Sequence, residues 1–183
     1  LGPPEDVEYI ERERHAVAIH EACHAVAAAK VRRHLTIDIA TIEKGGNYLG
    51  MVASIPPEDQ FTRWRSEYEA DIMTALASLA GERMFFEGDS SAGVSGDLRS
   101  ATETATIMEG YLGMGETLAC HGVTREIGSG GTGGRPGGRG DNSNPLENLL
   151  KSTLGSRIED KLSELMERTI QLLAENRRAV LAV

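Results

Sequence analysis

Cysteine is scarce, and its use builds no scaffold. Cys23 and Cys120 are the only two in the chain, too few for the disulfide framework of a small secreted domain, so a reducing compartment is the expectation. Long apolar runs are missing too. No window approaches the roughly 18 to 20 consecutive apolar residues of a membrane-spanning helix, and the opening LGPPEDVEYIERER has no apolar stretch of the kind that marks a signal peptide. The chain therefore reads as soluble, and its start without methionine points to a piece of something longer. Excess positive charge is also absent: a formal net charge of -9 runs against a nucleic-acid surface, whose affinity comes from clustered Lys and Arg. A Walker-type phosphate loop is excluded, because none of Lys30, Lys44, Lys151 and Lys161 follows a glycine. There is no internal repeat.

What is present is ordinary globular material. With 183 residues, 40% hydrophobic and 26% charged, the chain suits one domain with a real core. Residues 5 to 33 follow PPED without a proline or glycine and predict one long helix. The β-branched segment LTIDIATI (35 to 42), the turn glycines of EKGGNY and then LGMVASI (49 to 55), stopped by Pro56 and Pro57, predict a hairpin. Apolar residues at 61, 64, 68, 72, 76, 79 and 80 give a helical face over 59 to 86. A loop GDSSAGVSG (88 to 96) precedes a helix from Asp97 to about Gly110, and a last helix runs from about 146 to 182 with Leu149, Leu150, Leu154, Ile158, Leu162, Leu165, Ile170 and Leu173 along one side. The expected fold class is α+β, predominantly helical with a small sheet, in a single domain 1-183.

Residues 128 to 145, GSGGTGGRPGGRGDNSNP, are too glycine-rich to repay the entropy of ordering and predict a flexible loop. Gly128, Gly130 and Gly133 form a GxGxxG there, but a dinucleotide fingerprint needs a strand before it and a helix opening within it, and more glycines and Pro136 follow instead. The RGD at 139 to 141 reads as loop composition.

The informative stretch is AIHEACHAVAAAK, residues 18 to 30. His20 and His24 lie four apart, a little over one helical turn, so they share a face and can bind one ion through their ring nitrogens. Glu21 is rotated about 100° from His20, close enough to reach a water on the metal but poorly placed to be a ligand. That is the division of labour in zinc hydrolysis: the metal lowers the pKa of water and polarises a carbonyl, and the carboxylate moves the proton. Ala22, Ala25, Ala27, Ala28 and Ala29 let neighbouring elements approach closely. A catalytic zinc wants a third protein ligand. The metzincin pattern would need glycine at 27 and histidine at 30, where Ala27 and Lys30 stand, so that class is out. Glu67, Glu69, Glu82, His34, His121 and Asp97 remain, with His34 expected in solvent at the end of its helix. Spacing alone leaves that choice open.

The segments HEACHAVAA, LGMVASIPPED, SAGVSGDLRSATETATIM, GYLGMG and IEDKLSELMERTIQLLAENRRAVLA occur in the order and approximate spacing of the peptidase domain of FtsH-type ATP-dependent zinc metalloproteases, the M41 peptidase family, which the chain resembles from about Ala18 to Ala182. The resemblance implies Zn2+ held by His20, His24 and Asp97, with Glu21 as general base. It implies a mostly helical domain with a small sheet, an attached ATPase module that is not in this chain, a homo-hexamer in the full-length protein, unfolded or extended protein substrates, and a place on the cytoplasmic side of a bacterial inner membrane. Leu49, Gly50, Met51, Val52 and Ala53 would then form an edge strand that pairs with an extended peptide. Departures from the family are Cys23 where glycine is usual, read here as a packing residue, a shortened AGERMFFEG with no ligand assigned to Glu82, and the glycine-rich 128 to 145. Two rival readings are a catalytically idle scaffold and a metal-dependent hydrolase of small molecules.

Overall fold

A computed structural model describes residues 10–42, 50–55, 61–116, 118, 120 and 145–183, the last segment by backbone alone over 145–152. Helix α1 (Glu11–Val31) leads into an antiparallel hairpin of β1 (Thr36–Thr41) and β2 (Met51–Ile55). Helix α2 (Arg65–Phe85) follows, then a 3-10 turn (Ala92–Val94), α3 (Ser95–Gly110), the long α4 (Pro145–Glu175) and the short α5 (Arg177–Val180). The mostly helical α+β class expected from the sequence is the one observed. The glycine-rich stretch falls, except for Pro145, outside the described residues, as do the first residues expected in α1.

Helix α2 is the centre of the molecule. One face packs on α1 and the C-terminal helices through Ile19, Ala22, Cys23, Val26, Ala27, Ala77, Ala80, Leu173 and Val180. The other meets α3 and α4 through Ile72, Met73, Leu76, Ala101, Ala105, Met108 and Leu165. Leu165 and Leu173 are fully buried, and each such side chain contributes roughly 1.5–3 kcal/mol. Against α1 the contacts are small residues, which bring the two backbones close together. An added Cβ on Gly81 would sit 2.2 Å from Cys23 Sγ. Cys23 is completely buried there, and burial pushes its thiol up to about 12, as expected of an inert packing residue.

Three element boundaries differ from the sequence expectation for local reasons. Helix α2 starts at Arg65 instead of 59, because Trp64 is extended (φ -91°, ψ 155°) and its N–H donates to the Glu67 carboxylate at 2.8 Å, fixing the helix start there. Helix α3 starts two residues early, at Ser95, continuing from the 3-10 turn. The last helix is not continuous: at Asn176 (φ -111°, ψ 18°) the chain leaves helical geometry, and the Asn176 amide donates to the Leu172 carbonyl at 2.8 Å, a local bond that competes with the helix ladder.

In the hairpin Thr36 faces Ile55 and Thr41 faces Met51, with the register shifting between Ile37 and Ile39. Asp38 is the extra residue of that bulge, which adds twist to the ribbon. With two strands in the sheet, each has one edge that pairs with no described strand. Both strands contact α1, and this sets the start of β2 beside the helix that carries the histidines. Among the described residues no helix is long and apolar enough to cross a membrane.

Candidate metal centre

Helix α1 presents His20 and His24 from successive turns toward α2, and the first turn of α3 brings in Asp97. His20 Nε2 lies 3.2 Å from His24 Nε2 and 3.2 Å from Asp97 Oδ2. The third side, His24 Nε2 to Asp97 Oδ2, is 3.3 Å. These three residues form the one cluster of metal-capable groups found among the described residues. Asp97 is ionised by its position. It sits in the first turn of α3, where the helix dipole favours negative charge. Burial would raise its pKa, but its contacts with His20, His24 and Ser78 outweigh that and hold it well below the usual carboxylate range.

The outer ring nitrogens decide what the centre needs. His24 Nδ1 is 2.7 Å from the Thr74 carbonyl oxygen, which can only accept, so Nδ1 carries a proton. His20 Nδ1 is 2.9 Å from Glu82 Oε1 and is likewise held as a donor by a carboxylate. In neutral rings of that tautomer, both Nε2 lone pairs point at each other and at the Asp97 oxygen. Three electron-rich atoms in mutual contact demand a cation between them. Without a metal, a proton serves. Burial alone would lower the His20 pKa, but hydrogen bonds to Asp97 and Glu82 dominate and raise it to about 9. A tetrahedral zinc with ligand bonds of about 2.0–2.1 Å has ligand-to-ligand edges of about 3.3 Å. The observed triangle therefore fits that ion, and the carbonyl and carboxylate behind the rings are the usual outer partners of metal-binding imidazoles.

Glu21 lies outside the triangle and next to β2. Gly50 touches it so closely that an added Cβ would fall 2.5 Å from Glu21 Cγ and 2.7 Å from Oε1. Burial raises the Glu21 pKa, against the pull of His24 and His20, which moves the carboxyl toward the range useful for accepting and returning a proton. Of the other residues expected to hold substrate, Met51, Val52 and Ala53 form the start of β2, half-buried. Leu49 lies outside the described residues.

Of the other candidates for a third ligand, Glu67, Glu69 and His34 are engaged elsewhere. Glu67 caps α2. Glu69 binds Arg65 at 2.8 Å and Arg168 at 3.2 Å. His121 is outside the described residues. His34 corrects the expectation of solvent exposure: its side chain is 7% exposed, with Nε2 4.0 Å from Asp71 Oδ1. Asp71 also holds Arg32 at 2.8 Å and Arg63, so the end of α1 is clamped to α2 and carries His34 inward. Thr74 and Ser78 were not foreseen as partners of the site, and Glu82, weighed as a third ligand, instead bonds His20 from behind at 2.9 Å. The signal was available, since polar residues recur every fourth position on an otherwise apolar helix, and all three are buried.

Peptidase family M41 matches residues 8–183. The chain is 31% identical over 181 residues to an "ATP-dependent zinc metalloprotease FtsH" of Acidothermus cellulolyticus, covering 98% of this chain and 26% of that protein. It is 27% identical over 171 residues to a protein of the same name from Neorickettsia risticii, covering 91% and 24%. A third, from Akkermansia muciniphila, is 35% identical over 108 residues, 59% of this chain and 13% of that protein. The chain thus spans about a quarter or less of the length of these relatives. With a helix that pairs two imidazoles against an aspartate, and a family match over nearly its whole length, the chain belongs to peptidase family M41.

Proposed function

We propose that this chain is a zinc-dependent endopeptidase domain that hydrolyses extended polypeptides. The observation that carries the reading is the triangle of two Nε2 atoms and one carboxylate oxygen, whose tautomers are fixed from behind and whose electrostatics require a cation. His20, His24 and Asp97 would hold Zn2+, which would supply Lewis acidity toward the scissile carbonyl and toward water. Glu21 accepts the proton of the attacking water and returns it to the departing amine, a two-way task for which its raised pKa is suited. The proximity of Gly50 to Glu21 lets a substrate strand lie beside the general base. An extended peptide adding to the edge of β2 that pairs with no described strand, at Gly50, Met51, Val52 and Ala53, with Leu49 preceding them, gains backbone hydrogen bonds with little sequence preference. Selection for unfolded chains follows, because a folded substrate has no free strand to offer.

The relatives are named ATP-dependent and are about four times longer or more than this chain. We propose accordingly that the domain works as the proteolytic part of a longer protein with an attached ATPase that supplies unfolded substrate; the homo-hexamer and the place on the cytoplasmic side of a bacterial inner membrane are what the family resemblance implies. The test is Glu21→Gln. It should keep the fold and bind one zinc, yet lower cleavage of an unfolded casein by at least about a hundredfold, the scale of a lost general base. Cleavage within about threefold of the parent protein would remove Glu21 from the mechanism. Intact zinc binding with no cleavage of any peptide by the parent would favour the scaffold reading.

A further inference from the structure

Each of His20, His24 and Asp97 is bonded from behind, and all three bonds come from one face of α2. Thr74, Ser78 and Glu82 are four residues apart, so they stand one above another along that helix. The Thr74 carbonyl takes His24 Nδ1, the Ser78 hydroxyl donates to Asp97 Oδ2 at 2.7 Å, and the Glu82 carboxylate takes His20 Nδ1. Glu82 is itself anchored by the backbone N–H and the hydroxyl of Ser91, in the loop that leads to α3.

The Ser78 bond differs from the other two. The spacing of the two histidines is given by α1, but Asp97 comes from a different helix after a loop with left-handed geometry at Glu87 (φ 56°) and Gly88 (φ 91°). Nothing in local chain geometry aims it at the imidazoles. Ser78 is fully buried and has one proton to give. Its alternative acceptor, the Ala75 carbonyl, is farther away at 3.2 Å, so the proton goes to the charged oxygen, the stronger acceptor. That oxygen is the same one that faces both Nε2 atoms, so the hydroxyl occupies one of its lone pairs and leaves the other directed at the centre.

We propose that Ser78 is a positioning residue for the metal: its hydroxyl locks the Asp97 carboxylate in the orientation that completes the site, so α2 sets the metal affinity of ligands carried by α1 and α3. The proposal rests on the zinc reading above. Zinc affinity of the purified chain, measured by competition with a chromogenic chelator, tests it on Ser78→Ala, Ser78→Thr and His20→Ala, with the melting temperature of each metal-free protein recorded alongside. Ser78→Ala should bind zinc about 10 to 100 times more weakly, the usual effect of losing an outer partner of a ligand. Ser78→Thr, which keeps the hydroxyl, should stay within about threefold of the parent. In the cobalt-loaded protein, Ser78→Ala should also shift the visible ligand-field bands, which a change in packing remote from the ligands would not do. Equal zinc affinity in Ser78→Ala and the parent, or equal losses in both Ser78 variants, overturns the proposal while leaving the metal site standing. A parent protein that binds zinc no better than His20→Ala overturns the metal reading itself.

Discussion

Replacing Gly81 with alanine should damage the protein through a single contact, and the damage should be curable from across the helix interface. The new Cβ would lie 2.2 Å from Cys23 Sγ and 3.0 Å from Cys23 Cβ, the first about 1.3 Å inside the optimum for non-bonded atoms of roughly 3.5 Å. Neither side yields easily, because both residues lie on helices in a packed core and the Cys23 side chain is completely buried. Overpacking of this kind costs about 1–3 kcal/mol, and for a chain of this size each kcal/mol lowers the melting temperature by roughly 2–4 °C. Cys23→Ala alone removes Sγ, leaves a void of about one methyl group, and should cost about 1 kcal/mol. The double variant places the alanine Cβ atoms 3.0 Å apart before relaxation, a gap that a shift of a few tenths of an ångström relieves. It should therefore be more stable than Gly81→Ala alone, with a coupling of at least about 1 kcal/mol by double-mutant cycle in urea at constant m. Because Gly81 adjoins Glu82 and Cys23 adjoins His24, zinc affinity should fall in Gly81→Ala and recover in the double variant. Additive stabilities within about 0.5 kcal/mol would refute the contact and, with it, the packing role of Cys23.

Gly50→Ala would drive a methyl group into the Glu21 side chain, so peptide hydrolysis should drop at least about tenfold, as a small misplacement of a reacting group does, while zinc affinity stays near that of the parent. Unchanged hydrolysis would separate Gly50 from the role proposed for Glu21. In the metal-free protein, the raised His20 pKa means that its stabilising pair with Asp97 is fully present below about 6.5 and is lost as pH rises through about 9. Asp97, held below its ordinary 3.8, reports the same interaction from the acid side, with stability lost as pH falls below that value. The melting temperature of the metal-free chain should thus decline between pH 6.5 and 9.5, and Asp97→Asn should flatten that decline. An equal slope in both proteins would show that this pair does not set it.

Much was legible in the sequence because it depends on near neighbours. The shared face of His20 and His24 follows from helical periodicity, and the absence of proline or glycine keeps that helix intact across both. The hairpin follows from two β-branched runs around turn glycines. Even the misplaced start of α2 and the break at Asn176 involve bonds within four residues, at Trp64 with Glu67 and at Asn176 with Leu172, too weak as sequence signals to outweigh apolar spacing. Family resemblance, not spacing, singled out Asp97 among six possible partners.

What the tertiary structure alone decided is the set of contacts made across helices. The close approach of α1 and α2 at Cys23 and Gly81 turns Thr74, Ser78 and Glu82 toward His20, His24 and Asp97, and the Asp71 clamp draws His34 inward from the solvent expected for it. Those outcomes depend on the relative rotation and register of helices joined by long segments. A shift of one residue in α2 would turn its polar stripe by about 100° and take every one of those bonds away. Local sequence fixes which side chains share a face, whereas the rotation of one helix against another is a balance of many weak contacts summed over the whole core, and no short stretch of the chain encodes it.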